Sequence, residues 1–142
     1  MPNLLRIALA LILGIALGGV VNMAFITLGP ALIAPPPGVD MASAEGLRAS
    51  MHLLEPRHFL MPFLAHAVGT FVGALAGSVL AVSHRSIVAY AIGAAFLSGG
   101  IAASVMIPAP TWFIVLDLAA AYVPMAWLGL SIAHRLKPGV AQ

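Results

Sequence analysis

Cysteine is absent from this 142-residue chain, which excludes disulfides, thiolate metal sites and cysteine nucleophiles. Charge is nearly as scarce. Only 7% of residues are charged, against about 25% in an ordinary soluble domain, while 62% are hydrophobic. Such a surface does not suit water over most of its area. The six Lys and Arg residues form no run or stripe, so nucleic acid is not an expected partner. GxSxG, P-loop and HExxH patterns are missing too, which removes the commonest signatures of hydrolases, nucleotide-binding proteins and zinc peptidases. No cofactor is expected, and the chain reads more as a non-enzyme than as an enzyme.

What the chain does have is length of apolar run. Four stretches, about 4–28, 57–82, 86–107 and 111–133, each hold enough apolar residues to cross a bilayer, for which about 20 suffice. Gly29-Pro30 and Pro35-Pro36-Pro37-Gly38 are expected to end the first, a His84-Arg85 turn to separate the second and third, and Pro108-Ala109-Pro110 to break the chain before the fourth. The expected fold is an all-α membrane protein, a single four-helix transmembrane bundle. Arg6 before an apolar stretch resembles a signal sequence, but the uncharged run from Ile7 to Val39 far exceeds a signal-peptide core of about 7–15 residues, so a retained anchor is expected.

The charges give an orientation. Arg6, Arg85, Arg135 and Lys137 fall at one set of helix ends, and Asp40, Glu45, Arg48, Glu55 and Arg57 in the long first loop. Basic residues resist translocation, so both termini are predicted inside and the loop of about 35–56 outside. In that loop Leu47, Met51 and Leu54 recur at helical spacing, which predicts a short amphipathic helix on the outer surface, with Asp40 as its N-cap and Pro56 in the first turn of the second span. Such a helix serves as a lid, a gate or a docking element.

Small residues recur every four positions in three spans: Ala10, Gly14 and Gly18; Ala65, Gly69, Gly73, Gly77 and Ala81; and Ala91, Ala95, Gly99 and Ala103. Lipid is as apolar as leucine, so helices in it associate through close approach at such seams. Internal packing and self-association both fit them. Pro124 leaves the Ala120 carbonyl without its helix donor and predicts a bend in the fourth span.

The acidic side chain inside the apolar runs is Asp117. A carboxylate at the centre of a membrane helix costs about 2.5–3.5 kcal/mol on insertion scales, so it needs a partner, a proton or a wet cavity. At a rise of about 1.5 Å per residue, Asp117, His66 and Asn22 all fall in the outer third of the membrane, with Thr70 and Ser104 close by. These five form a candidate polar cluster. It either fixes helix register, with Asp117 accepting from His66, Asn22 or Trp112, or lines an outward pocket for a proton, cation or small polar solute. A metal or catalytic site is the third reading, for which His52, Glu55 and His58 are weak additional candidates, since zinc asks for three protein ligands or more. Trp112 reads as an interfacial aromatic, and Tyr122 has no assigned role.

The stretches Pro35-Pro36-Pro37-Gly38-Val39-Asp40, Phe63-Leu64-Ala65-His66-Ala67 and Pro110-Thr111-Trp112-Phe113, with Asp117 beyond, resemble those of small uncharacterised bacterial four-span integral membrane proteins. The resemblance implies a bacterial cytoplasmic (inner) membrane and carries no activity with it. The expected function is therefore an accessory, scaffold or small-ligand-binding membrane subunit with an outward-facing polar cluster. The alternative is a small oligomeric transporter or channel for a proton, cation or small polar solute. The expected partners are the lipid bilayer and either a homo-oligomer or a larger membrane complex.

Overall fold

In a computed structural model, which describes residues 3–81, 83–107 and 109–136, the chain is helical throughout its regular structure. The helices are α1 (Asn3–Leu32), α2 (Ala44–Ser50), α3 (Leu60–Leu80), α4 (Arg85–Met106), α5 (Thr111–Ala120) and α6 (Val123–Leu136). Two 3₁₀ turns, Met51–Leu53 and Pro56–Phe59, connect α2 to α3. Asn3–Leu32, Pro56–Leu80, Arg85–Met106 and Thr111–Leu136 are each long and apolar enough to cross a membrane. Their outward faces carry large apolar side chains such as Ile12, Val20, Val105 and Val115. Lys137, Val82 and Pro108, which entered the reading of ends and orientation, lie outside the described residues.

Two of the three small-residue seams zip α1 to α3. The helices run antiparallel, with Ala10 facing Gly77, Gly14 facing Gly73 and Gly18 facing Gly69. A methyl added to Gly14 would stand 2.8 Å from the Gly73 carbonyl oxygen, and one on Gly73 would stand 2.8 Å from that of Gly14. Backbone meets backbone here, and only hydrogen fits between. The third seam behaves otherwise: Ala91, Ala95, Gly99 and Ala103 are all exposed. The inward face of α4 consists instead of Val88, Ala89, Ile92, Gly93 and Gly100. Ile92 reaches into the hollow left by Gly14 and Gly77, which rotates the small stripe outward. α6 packs parallel to α3, with Ala74, Ala126 and Leu130 in one buried cluster.

Three boundaries differ from those expected. α1 runs through Gly29 and Pro30 to Leu32. Proline removes one donor, but Ile33 N–H still reaches Gly29 O at 2.8 Å, and Gly29 is held against Met61. The α2 cap is Ser43, not Asp40: its hydroxyl accepts from Gly46 N at 2.9 Å. Asp40 instead accepts from Ala42 N and the Ser43 hydroxyl, at 2.8 and 3.1 Å, and this local turn delays the helix by one turn. The fourth span is broken rather than bent. α5 ends at Ala120 and α6 begins at Val123, just before Pro124, whose ring and missing N–H interrupt the ladder.

The segment from Met41 to Leu54 lies across one end of the bundle. Its Leu47, Met51 and Leu54 face inward, so the amphipathic stretch forms a roof. Arg48 holds it down by donating to the Met106 carbonyl at the end of α4. Below it, His58 reaches the Ala34 carbonyl at 3.2 Å through Nε2. Arg48→Ala is expected to release the roof, seen as faster amide hydrogen exchange across residues 44–53 with the α3 core unchanged. Equal protection in both proteins would mean that apolar contact alone keeps the roof closed.

Candidate functional site

The second turn of α3 carries His66, and α5 brings Asp117 to it across the bundle. His66 Nδ1 lies 2.9 Å from both Asp117 carboxylate oxygens. Tyr122 donates its hydroxyl to Asp117 Oδ2, also at 2.9 Å. The His66 and Tyr122 rings stack at 5.7 Å and 30°. The side chain of Asp117 is only 6% exposed and that of His66 21% exposed, so the cluster is closed over the carboxylate and open at the imidazole.

The local chain explains each position. His66 follows the seam residue Ala65, so it sits at the edge of the α1–α3 contact, where small residues bring the backbones together. Tyr122 is five residues beyond Asp117, which in an unbroken helix would be about 140° away around the axis. The break at Ala121–Tyr122 turns the phenol back over the carboxylate, and Gly100 on α4 makes room for its hydroxyl end. With Asp117 as a carboxylate, which only accepts, Nδ1 of His66 is the nitrogen that donates to it. In the neutral ring, Nε2 is then the acceptor. No described residue hydrogen-bonds to Nε2.

His66 lines two spaces. The first is a cavity of about 350 Å³ between the ends of α1, α3, α4 and α5, beneath the roof. Phe59, Phe113 and Met61 form part of its apolar wall, and His66 and Asp117 supply polar groups. The second, of about 340 Å³, is a groove between α1 and α4, lined by Gly19 and Asn22 on one side and Ala95 and Gly99 on the other. A volume of this order is that of a small-molecule site, and so is an apolar wall with a few converging polar groups.

Of the five residues expected to cluster, the structure joins two directly. Asn22 is half-buried beside Gly69 and lines the groove with His66, but makes no hydrogen bond to Asp117. Ser104 lines the first cavity, with its hydroxyl turned back to the Ile101 carbonyl at 2.8 Å. Thr70 is fully buried, lines neither space, and its hydroxyl has no partner among the described residues. Trp112 packs edge-on against Phe59 at 5.6 Å rather than donating to Asp117. The weak metal candidates do not converge. Glu55 pairs with Arg57 at 3.0 Å and shares a capping box with His58, while His52 is exposed on its own turn. Among the described residues no three His, Asp or Glu side chains are placed to hold a metal.

Tyr122 is the site residue that sequence reasoning left out. Helical spacing argues against an i, i+5 contact, and only Pro124 signalled that the spacing fails there.

Fold and site together define a bundle of four apolar helical stretches whose buried His–Asp–Tyr cluster opens into a roofed apolar cavity. No family model, curated protein or solved structure matches the chain, so the reading rests on this geometry.

Proposed function

We propose that this is an integral membrane protein that binds a small, mostly apolar molecule in the cavity beneath the 41–54 roof, with His66 receiving its polar end. The observation that carries the reading is the cavity of about 350 Å³ bordered by an imidazole whose Nε2 has no hydrogen-bond partner among the described residues. Asp117 and Tyr122 orient that imidazole, as a second layer of hydrogen bonds must if a single acceptor is to fix a ligand. The four spans lie in a bacterial cytoplasmic membrane with both termini inside and the roof outside, following Arg6, Arg85, Arg135 and Lys137. The molecule acts as a ligand-binding or accessory subunit.

Binding fits better than passage. Neither space is lined by an α3 residue beyond His66, and from Gly69 onward the α1–α3 seam is backbone against backbone. A through-path needs polar stations in that half. Ser78 is there, but fully buried.

The test is native mass spectrometry of protein released gently from its own membranes. The wild type is expected to carry a bound small molecule, and Ser104→Trp, which fills the cavity, to lose it. A wild type that flies at its bare mass, or an adduct unchanged by Ser104→Trp, would end this reading.

A further inference from the structure

We infer that the ligand is a membrane-borne amphiphile with a neutral hydroxyl-bearing head, whose tail leaves the site sideways through the groove between α1 and α4. This rests on the cavity-binding reading and adds the class of molecule and its route.

The groove follows from helix register. α1 and α4 run in the same direction, with Gly14 level with Ile92 and Gly18 level with Phe96, whose ring would stand 2.9 Å from a methyl on Gly18. Continuing by one turn puts Asn22 level with Gly100. Between these levels the two helices present Gly19 and Gly99, and a methyl on either would meet nothing within 4 Å. The contact that closes α1 on α4 at Phe96 therefore opens toward the roofed end. His66 and Gly100 line both the groove and the cavity, so the two spaces adjoin at the imidazole.

The flank around this opening is apolar. Met23, one turn beyond Gly19 on α1, and Ala103, one turn beyond Gly99 on α4, are both exposed. In a bilayer those side chains face hydrocarbon, so whatever enters there comes from the lipid phase. A water-soluble solute would instead have to enter beneath the roof, which Arg48 ties to α4.

The head group follows from charge. Asp117 lines the cavity, and among the described residues no Lys or Arg lines either space. An anionic head, carboxylate or phosphate, would find no Lys or Arg to pair with there, and a buried charge without a partner is costly. A hydroxyl suits Nε2, which accepts one hydrogen bond. Asn22, with both a donor and an acceptor and no hydrogen-bond partner among the described residues, stands at the groove side of the same ring.

Two synthetic phenols separate the parts of this proposal: a long one, with a dodecyl chain bearing a mid-chain diazirine, and a short one, 4-propylphenol. In nanodiscs, photolysis of the long phenol is expected to label α1 and α4 around Ile15, Ala95 and Phe96. Excess 4-propylphenol should suppress that labelling. Gly99→Leu should abolish it while leaving thermal stability and the 4-propylphenol-induced shift of the His66 ring nitrogens intact. The analogous dodecyl carboxylate should not compete. If the long phenol labels only residues 41–54, labels the groove equally in Gly99→Leu, or is displaced by the carboxylate, the lateral amphiphile assignment is wrong. The cavity reading then survives if Ser104→Trp still removes the 4-propylphenol shift. If 4-propylphenol does not perturb His66 in the wild type, cavity binding and its lateral extension fall together.

Discussion

Asp117→Leu is expected to destabilise the folded protein by about 3 kcal/mol or more, the range found when one partner of a buried pair is removed. The carboxylate accepts from His66 Nδ1 and from the Tyr122 hydroxyl, both at 2.9 Å, and is nearly inaccessible. Leucine leaves both donors in an apolar setting without an acceptor, each costing about 1–3 kcal/mol. The unfolded chain adds to the effect in the same direction. On the membrane reading proposed above, a lone aspartate in lipid is expensive, so its removal stabilises the unfolded reference while the folded state loses its pairings. Asp117→Asn keeps one acceptor oxygen and should fall between leucine and wild type. Thermal unfolding in a fixed detergent measures the series. A double-mutant cycle with Tyr122→Phe isolates the coupling, which additive losses would show to be absent.

Gly73→Leu should be more damaging still, with no folded, monodisperse protein recovered on size-exclusion chromatography. Its first side-chain carbon alone would sit 2.8 Å from Gly14 O, 3.3 Å from Ile92 Cγ2 and 3.4 Å from Gly18 Cα. Backbone on the facing helix cannot step aside, so three further carbons force α1 off α3. Losses above about 4–5 kcal/mol are exceptional and come from few causes, overpacking among them. The contrast within the chain is sharp. Gly99→Leu adds the same atoms to a site with nothing within 4 Å and should leave the elution profile unchanged. If both variants elute alike, the seam does not hold the bundle together.

Much of the fold is legible along the chain because apolar run length is a local property. All four long stretches appear where hydropathy puts them. The α1–α3 seam is legible for the same reason, since a spacing of four marks one helix face without reference to any partner. The third stripe carries an identical pattern yet faces outward, because the interior at that level is already occupied by Ile92 in the hollow of Gly14 and Gly77. Spacing reports a face, not its direction. Likewise Asp40 and Ser43 are both good caps by type, and the turn Asp40 makes with Ala42 and Ser43 decides between them.

The site divides along the same line. That Asp117 needs a partner, and that His66 lies at a similar depth, follow from sequence through the cost of a charge in hydrocarbon and the rise of a helix. That the two touch, that Tyr122 completes the cluster and that Thr70 does not, are decided by tertiary structure. The Tyr122 contact exists because the span breaks at Ala121–Tyr122, and a break changes the rotation between residues that an unbroken helix keeps apart. The cavity is likewise a property of the assembled ends and their roof. Hydropathy along the chain set how many long apolar stretches form and which residue they had to shelter. Only packing decided what shelters it and where the shelter opens, because those depend on contacts between residues distant in the chain.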